Sequence, residues 1–402
     1  MKKLFICFLA LGLPAMLAAQ TLSDAQVDAL IDAHRPMRGG TIPKDIKDRL
    51  GVTTAGGKYY LTDKPFVIET SEKIRDLGYT TTMYFIGNPD KQGQIKSLGW
   101  NSDWKLPRNC PMVDVVSHPY FVKALDCGQT RVVFNAGIPS GKLDEKNHDW
   151  SADGKELYDL AVYLLKTYKD RDITFILKNW EGDWVLRGGA GVQRDAWMAK
   201  TDEYRMRRIN NFIEWARVRQ EAVTRARNDV KNTKAKIYYA VEVNQVMDAM
   251  TRDIPALPNM LLPKVELDMV SWSSYDGMGE PRRFFRCIEY LRQQHRPTPY
   301  MKGQKYVFIG EAGIGERTVK FDVTDRWDGL FGVLFALDVP LIINWEIYCN
   351  EPVKKETKND FSRPMTEDEL RGLWIIKPDG TLGITGTYWE KILNNPGGKF
   401  PK

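Results

Sequence analysis

Two apolar segments of the sequence end in a glutamate where a buried strand would normally continue with Val or Leu. The segment ITFILKNWE at 173–181 ends in Glu181, and the segment YVFIGEAG at 306–313 passes from apolar residues into Glu311. Two carboxyl groups that meet in one pocket, one protonated and one ionised, can hydrolyse a glycosidic bond. The sequence therefore raises the question of whether the fold brings these two glutamates together.

Polar and aromatic side chains also follow the other apolar segments. Carboxylates, amides and aromatic rings recur in this set, whereas His and Cys are nearly missing from it. Amides hydrogen-bond sugar hydroxyls, and indole or phenol rings stack on the apolar faces of sugars. This combination indicates a site for carbohydrate. The residues of the set are Asn135, Asn179, Glu181, Asp183, Glu242, Asn244, Tyr275, Asp276, Glu311, Asn344, Trp345 and Glu346.

Apolar segments of strand length alternate with amphipathic segments of helical periodicity, which is typical of repeated βα units around a parallel sheet. Strands are predicted at 80–87, 130–137, 173–181, 236–244, 267–275, 306–313 and 340–348, with an eighth, first along the chain, at 38–43. Helices are predicted at 65–77, 153–168, 202–229, 281–295 and 325–337. This order predicts an α/β fold, a (β/α)₈ TIM barrel, whose active site lies at the carboxyl ends of the strands. Residues 20–402 are predicted to form this single domain, with loop insertions.

The positions of the two glutamates resemble a known pattern. A glutamate at the end of the fourth strand and a second at the end of the seventh, in FIGEAG, resemble glycoside hydrolase clan A, the retaining (β/α)₈ glycosidases that include many cellulases. The resemblance implies that Glu181 is the acid/base and Glu311 the nucleophile. It also implies that Tyr275, after the sixth strand, supports the nucleophile and that Trp345, on the eighth, forms the floor of the sugar site.

One position departs from the pattern of the clan, in which an asparagine directly precedes the acid/base glutamate. Here the order is Asn179-Trp180-Glu181, with one residue between. Two explanations stay open: a bulge returns the Asn179 amide to the 2-hydroxyl of the sugar, or Trp180 faces the site and Asn179 does not. Asp183 and Glu242 are alternatives for the role of the acid.

Eight residues are predicted to bind substrate beside the two catalytic glutamates. One of them, Glu346, belongs to a second Asn-Trp-Glu motif at 344–346, and binding or ion pairing is favoured over catalysis for it. The predicted substrate-binding residues are Asn135, Asn179, Trp180, Glu242, Asn244, Tyr275, Trp345 and Glu346.

Residues 1–19 have the layout of a secretory signal. Lys2 and Lys3 precede an apolar stretch and then small residues, with cleavage expected after Ala19. The stretch is too short to span a bilayer, so a secreted or periplasmic protein without membrane insertion is predicted. The 58 basic and 52 acidic residues are interleaved along the chain, which gives no support for nucleic-acid binding.

The four cysteines beyond the signal have no metal-ligand spacing such as C-x-x-C, and neither a metal nor a cofactor is predicted. For Cys110 and Cys127, a disulfide after export and two free thiols are both open.

These features lead to the hypothesis of an exported retaining glycoside hydrolase that acts on a poly- or oligosaccharide through two glutamates, as a monomer. One alternative is a carbohydrate-binding barrel that has lost catalysis, which the displaced Asn179 favours. Another is an inverting or metal-dependent barrel hydrolase, although the chain has only 4 histidines.

Overall fold

The computed structural model describes residues 22–139 and 141–401, in which eight parallel strands close into a barrel. Each strand pairs with the next along the chain, and β8 pairs with β1 to close the cylinder. The predicted TIM barrel is therefore confirmed, and the predicted signal at 1–19 lies outside the described residues. The strands are β1 (Leu50–Thr54), β2 (Thr81–Phe85), β3 (Arg131–Asn135), β4 (Thr174–Lys178), β5 (Lys236–Val243), β6 (Met269–Ser273), β7 (Tyr306–Ala312) and β8 (Ile342–Asn344).

Helices surround the barrel, and those predicted from periodicity occur within two residues of their predicted ends. The helices are α1 (Asp24–His34), α2 (Ile46–Arg49), α3 (Phe66–Asp76), α4 (Met112–Ser117), α5 (Pro119–Leu125), α6 (Ser151–Thr167), α7 (Gly182–Arg187), α8 (Arg194–Met198), α9 (Asp202–Asp229), α10 (Val246–Arg252), α11 (Leu257–Met260), α12 (Pro281–Gln294), α13 (Val323–Ala336) and α14 (Ile384–Leu393). A small two-stranded sheet pairs Glu266–Leu267 with Arg296–Pro297.

Capping side chains fix where several of these helices begin. At the start of α9, the Thr201 hydroxyl accepts a hydrogen bond from the Tyr204 N–H at 3.2 Å. Glu280 accepts two N–H groups of the first turn of α12 at 3.0 Å each, and Pro281 takes the first helical position, where no N–H donor is needed. These local signals explain why the predicted helix ends agree with the structure.

The strand predicted at 38–43 is wrong. That segment is irregular and runs beside the C-terminal residues, where Ile42 donates its N–H to a backbone carbonyl at 3.0 Å. The first strand is instead β1, whose sequence LGVTT lacks the apolar run of the other strands. Gly51 and Thr53 take its inward positions, because the residues that alternate with them pack outward against helices.

Apolar side chains that point inward from the strands fill the lower half of the barrel and form a floor beneath the carboxyl ends. A second and larger apolar core lies between the strands and the helices. Because side chains alternate along a strand, a residue two positions beyond the floor points into the barrel just above it. The floor includes Met83, Val133, Ile176, Ala240, Met269, Phe308, Leu341 and Ile343.

Two further properties concern the described residues only. None of their helices combines the length and the apolar composition that crossing a bilayer requires. Their four cysteines are free thiols, of which Cys110 and Cys127 are partly exposed and Cys287 and Cys349 are buried. In the structure, Cys110 and Cys127 are therefore two free thiols and do not form a disulfide.

Candidate functional site

A buried ion pair lies directly above the barrel floor. Ile176 belongs to the floor, so Lys178, two residues further along β4, points into the barrel. Its ammonium group lies 2.6 Å from Glu242 Oε2 and donates a hydrogen bond of 2.7 Å to Asn135 Oδ1. Neither Lys178 nor Glu242 has any exposed side-chain surface. A fixed positive charge and a fixed negative charge therefore lie beneath the groups that open to solvent.

Glu311 lies near the end of β7, above this ion pair. Its Oε1 lies 4.0 Å from the Lys178 ammonium group, and only 3% of its side chain is exposed. Gly310 precedes it, and a Cβ atom at that position would lie 1.9 Å from Ser271 Oγ and 2.3 Å from Glu242 Oε2. The glycine therefore lets β7 pass close to the buried pair, and Glu311 is held beside the positive charge.

Glu181 follows β4 and directly precedes α7. Its φ of +27° lies in the left-handed region, which residues other than glycine rarely adopt. Its backbone N–H donates to Glu242 Oε1 at 3.1 Å, and its own Oε1 accepts the Ser273 hydroxyl at 2.7 Å. Groups from β5 and β6 therefore fix the orientation of the Glu181 carboxyl group.

Ser273, at the end of β6, neighbours both glutamates. Its hydroxyl donates the 2.7 Å bond to Glu181, and its backbone pairs with Glu311 in the register of β6 and β7. The two carboxyl groups therefore lie at the same part of the barrel mouth, as the chemistry of retaining glycosidases requires.

Burial raises the pKa of both carboxyl groups. It brings the pKa of Glu181 from 4.5 to about 7, although the hydrogen bond from Ser273 acts in the opposite direction. Burial, and then the negative charge of Glu242, raise the pKa of Glu311 well above its usual range, against the lowering effect of Lys178. Burial of this kind disfavours ionisation of both carboxyl groups, and ionisation of one makes loss of the proton from the other harder.

A cavity of about 970 Å³ opens above the two glutamates. Trp180, Tyr275 and Trp345 line it together with Glu181 and Glu311. The side chain of Tyr275 is 41% exposed, and the Trp345 ring packs edge-on against a second aromatic ring whose centroid is 5.6 Å away. The structure therefore brings five of the predicted site residues together in one open cleft.

Two asparagines of the predicted binding set lie behind the cleft. Asn179 is completely buried, and its side chain donates to the Glu242 carbonyl and accepts the Glu242 N–H, both at 3.0 Å. The side-chain oxygen of Asn244 accepts two N–H groups at the start of α7, at 2.9 and 3.3 Å. Their amides hold β5 to the chain that follows β4, and neither residue lines the cavity. The structure agrees with the second explanation for the order Asn179-Trp180-Glu181: Trp180 faces the cavity and Asn179 does not.

Three more residues of the predicted binding set are buried below or behind the cleft. Protein groups occupy both carboxylate oxygens of Glu242, and Asn135 is held by the Lys178 ammonium group. Glu346 is completely buried and accepts the Asn350 N–H at 2.8 Å. None of these three residues lines the cavity, and the position of a residue at a strand end does not say which way its side chain points.

Asp183, an alternative for the acid, is engaged elsewhere. Its side chain is completely buried. One carboxylate oxygen accepts the N–H groups of Asn244 and Gln245 at 2.8 and 3.2 Å, and the other accepts the Leu257 N–H at 2.7 Å. Since Glu242 is also covered, Glu181 is the member of this group that reaches the cavity.

Residues that the long loops bring to the cleft have no strand-end signal in the sequence. The loop after β8 contributes Glu351, Lys358, Phe361 and Arg371 to the wall of the cavity. None of them directly follows a strand, so a search for polar strand ends does not find them. The basic character of the segment at 354–358, KKETK, is the one signal that the sequence offers there.

Lys178→Met is expected to destabilise the protein by about 3–5 kcal/mol, because it leaves the Glu242 carboxylate buried without its partner. Urea denaturation followed by tryptophan fluorescence measures this loss. The double variant Lys178→Met/Glu242→Gln removes both charges and should recover most of the stability. A single variant as stable as the wild type would show that Lys178 does not neutralise Glu242.

Solved glycosidase structures share this fold. A β-glucosidase from Pyrococcus furiosus aligns with a TM-score of 0.50 and 11% identity over 84% of this chain and 86% of that protein. A GH5 cellulase of Bacteroidetes affiliation aligns with a TM-score of 0.47 and 14% identity over 89% of this chain and 93% of that protein. A β-glucuronidase from Bacteroides uniformis has a TM-score of 0.47 and 12% identity over 85% of this chain.

This chain covers 34% of the β-glucuronidase, so it spans about a third of the length of that protein. No protein-family model matches the sequence, nor does any curated protein sequence. At identities this low, the structural similarity supports the (β/α)₈ fold alone. The argument for an activity comes from the chemistry of the site.

Proposed function

We propose that this protein is a retaining glycoside hydrolase that cleaves a glycosidic bond in a poly- or oligosaccharide. The observation that carries the proposal is the single cavity that Glu181 and Glu311 both line, with Ser273 bonded to the first and paired in the sheet with the second. Double displacement needs two carboxyl groups at one cleft, one as an acid and one as an anion.

In the first half of the proposed cycle, the carboxylate of Glu311 attacks the anomeric carbon and forms a covalent bond to it. The glycosidic bond breaks, and Glu181 donates its proton to the departing oxygen. The Lys178 ammonium group, 4.0 Å from Glu311 Oε1, favours the ionised form that attacks. The positive charge of Lys178 therefore acts against the burial and the Glu242 charge that raise the pKa of Glu311, and burial raises the pKa of Glu181 to about 7.

In the second half, the ionised Glu181 removes a proton from water, and the resulting oxygen attacks the same anomeric carbon. The bond to Glu311 breaks, and the carboxylate returns to its starting state. Two inversions leave the configuration of the sugar unchanged. The orientation of Glu181 by Glu242 and Ser273 holds the same oxygens in place for both halves.

The aromatic residues of the cleft suit a sugar ring. Trp180, Tyr275 and Trp345 present partly exposed rings to the cavity that contains both glutamates. Such rings stack on the apolar faces of sugars. We assign these three side chains to substrate binding, and the signal-like residues 1–19 support export of the protein.

The purified protein should release reducing ends from at least one member of a panel of plant, microbial and host polysaccharides. Nuclear magnetic resonance of the first product, before mutarotation, should show the anomeric configuration of the bond that was cut. An inverted product would replace double displacement by a single displacement through water. Binding of a glycan without any release of reducing ends would favour the carbohydrate-binding alternative.

The activity is expected to fall on the alkaline side of neutral pH. Burial raises the pKa of Glu181 to about 7, so the proton that the first step needs is lost above that pH. The value of kcat/KM should then fall about tenfold for each further pH unit, because it reports ionisation of the free enzyme. Initial rates between pH 4 and pH 10 measure the profile, and a constant kcat/KM up to pH 9 would contradict it.

A further inference from the structure

The wall of the cleft carries more positive than negative side chains. Its basic residues are Lys58, Lys96, Arg326, Lys358 and Arg371, and its acidic residues are Glu181, Glu311 and Glu351. The basic residues of the wall therefore exceed its acidic residues by two. A neutral sugar needs no such excess, because aromatic rings and hydrogen bonds suffice to hold it.

Few of these cations are neutralised by the protein. Arg371 forms an ion pair with Glu351, so these two charges neutralise each other. Lys96, Arg326 and Lys358 form no ion pair with any acid within residues 22–139 and 141–401. They come from three different parts of the rim, namely the loop after β2, the first turn of α13 and the loop after β8.

One of the cations, Lys58, is too well buried to be part of an ordinary solvated surface. Only 1% of Lys58 is exposed, and its ammonium group donates to the carbonyls of Lys358 and Asp360 and lies 3.5 Å from the centroid of the Phe361 ring. Burial lowers the pKa of Lys58 to about 8. The lysine therefore fixes the loop that carries Lys358 to the cleft wall, and no carboxylate of the described residues forms an ion pair with its ammonium group.

Arg326 is partly exposed and packs against an aromatic ring. Its guanidinium group stacks on the Phe321 ring, 4.1 Å from the ring centroid, and Phe321 also lines the cavity. Burial lowers the pKa of this arginine, which shows that the surrounding groups do not compensate the loss of hydration. A planar guanidinium group fixed against a ring is a good partner for a carboxylate or a sulfate.

We propose that the cleft accepts an acidic saccharide, in which carboxylate or sulfate groups lie against Lys96, Arg326 and Lys358 while the two glutamates cut the chain. The proposal rests on the proposed glycosidase function and adds the class of substrate to it. A neutral glycan that covered these cations would remove water from them without replacing it, whereas an anionic group offsets that cost. The cations also attract an acidic polymer from a distance.

The affinity of the inactive Glu311→Gln variant for glycans of known charge tests the proposal. The probes are oligogalacturonate, oligoalginate and fragments of a sulfated galactan, each paired with the same backbone after carboxyl reduction or desulfation. At least one charged probe should bind about tenfold or more tightly than its neutral counterpart at about 20 mM salt. The difference should shrink at about 500 mM salt, where screening is stronger. Uronate and sulfate probes then identify which anionic group is preferred.

A matched pair of double variants, built on the same background, locates the effect in the cleft. Lys96→Gln/Lys358→Gln removes two charges from the wall, and Lys91→Gln/Lys355→Gln removes two exposed charges from the same two loops outside it. The first pair should weaken binding of the acidic probe about tenfold, with little change for the neutral one. The second pair should leave both affinities within about twofold.

Each outcome decides between the two proposals. Equal binding of charged and neutral probes, or failure of every charged probe to bind, would overturn the acidic-saccharide proposal. Cleavage of neutral glycans alone by the wild type would overturn it and leave the glycosidase function standing. Salt-dependent binding of acidic probes without cleavage would instead overturn the glycosidase function and leave the charge selectivity standing.

Discussion

Glu311→Gln is expected to lower kcat by about 10³-fold or more, because an amide cannot form the covalent bond to the anomeric carbon. The fold should survive the change. No protein group within the described residues bonds Glu311 Oε1, and the neutral side chain relieves the repulsion from Glu242. Steady-state kinetics on a confirmed substrate measure the loss, and thermal unfolding should give a Tm equal to or above that of the wild type.

Glu346→Gln is the matched control for this variant. Both glutamates lie near the end of a barrel strand, and burial raises the pKa of both. Glu346 lies behind the cleft and bonds the Asn350 N–H, which a glutamine oxygen can also accept. Its replacement should change kcat by less than about tenfold. Loss of activity in the Glu346 variant together with retention in the Glu311 variant would remove Glu311 from the mechanism.

The barrel can be predicted from the sequence because parallel strands covered on both faces need uninterrupted apolar residues. Seven of the eight strands have such runs, and the helices between them have clear periodicity and capping residues. The exception is β1, in which Gly51 and Thr53 occupy the inward positions. A strand that contributes no large side chain to the floor has no hydrophobic signal, so its position becomes clear only when its neighbours are known.

The candidate site can be predicted only in part. Glu181, Glu311 and the aromatic rings around them follow from the rule that strand ends face one shared cleft. The direction of each side chain does not follow, because it depends on the left-handed backbone at Glu181 and on the register shift in β7. These two irregularities bring Glu181 to the Ser273 hydroxyl and Glu311 to the strand position beside Ser273.

The buried lysine shows a second limit of sequence reasoning. Lys178 stands between apolar residues and Asn179, and nothing in the sequence distinguishes it from a surface lysine. Its role depends on Glu242, which is 64 residues further along the chain and whose carboxylate reaches it only in the closed barrel. Long-range charge pairs of this kind become visible only when the strand order and the inward positions are both known.

Glu181→Gln is expected to lower kcat by about 10²–10⁴-fold on natural saccharides, because the departing oxygen then receives no proton. The size of this loss in kcat should depend on the leaving group. An aryl glycoside whose phenolate leaves without protonation should form the covalent intermediate at nearly the wild-type rate, which a burst of phenolate would show. The alkaline fall in kcat/KM should also disappear, since the group that loses its proton is gone. Equal losses on both kinds of substrate would assign Glu181 to binding instead of proton transfer.

The same substitution tests the raised pKa through stability. The folded protein keeps a proton on Glu181 up to about pH 7, whereas the unfolded chain releases it near 4.5. The stability that this group contributes is therefore complete below about pH 4.5 and is lost as the pH rises through 7. Glutamine is neutral at every pH, so the variant should match the wild type in Tm at pH 4 and exceed it at pH 8. Glu221→Gln, which removes an exposed carboxylate that does not line the cavity, serves as the control. A pH-independent difference in Tm would show that burial does not hold the proton on Glu181.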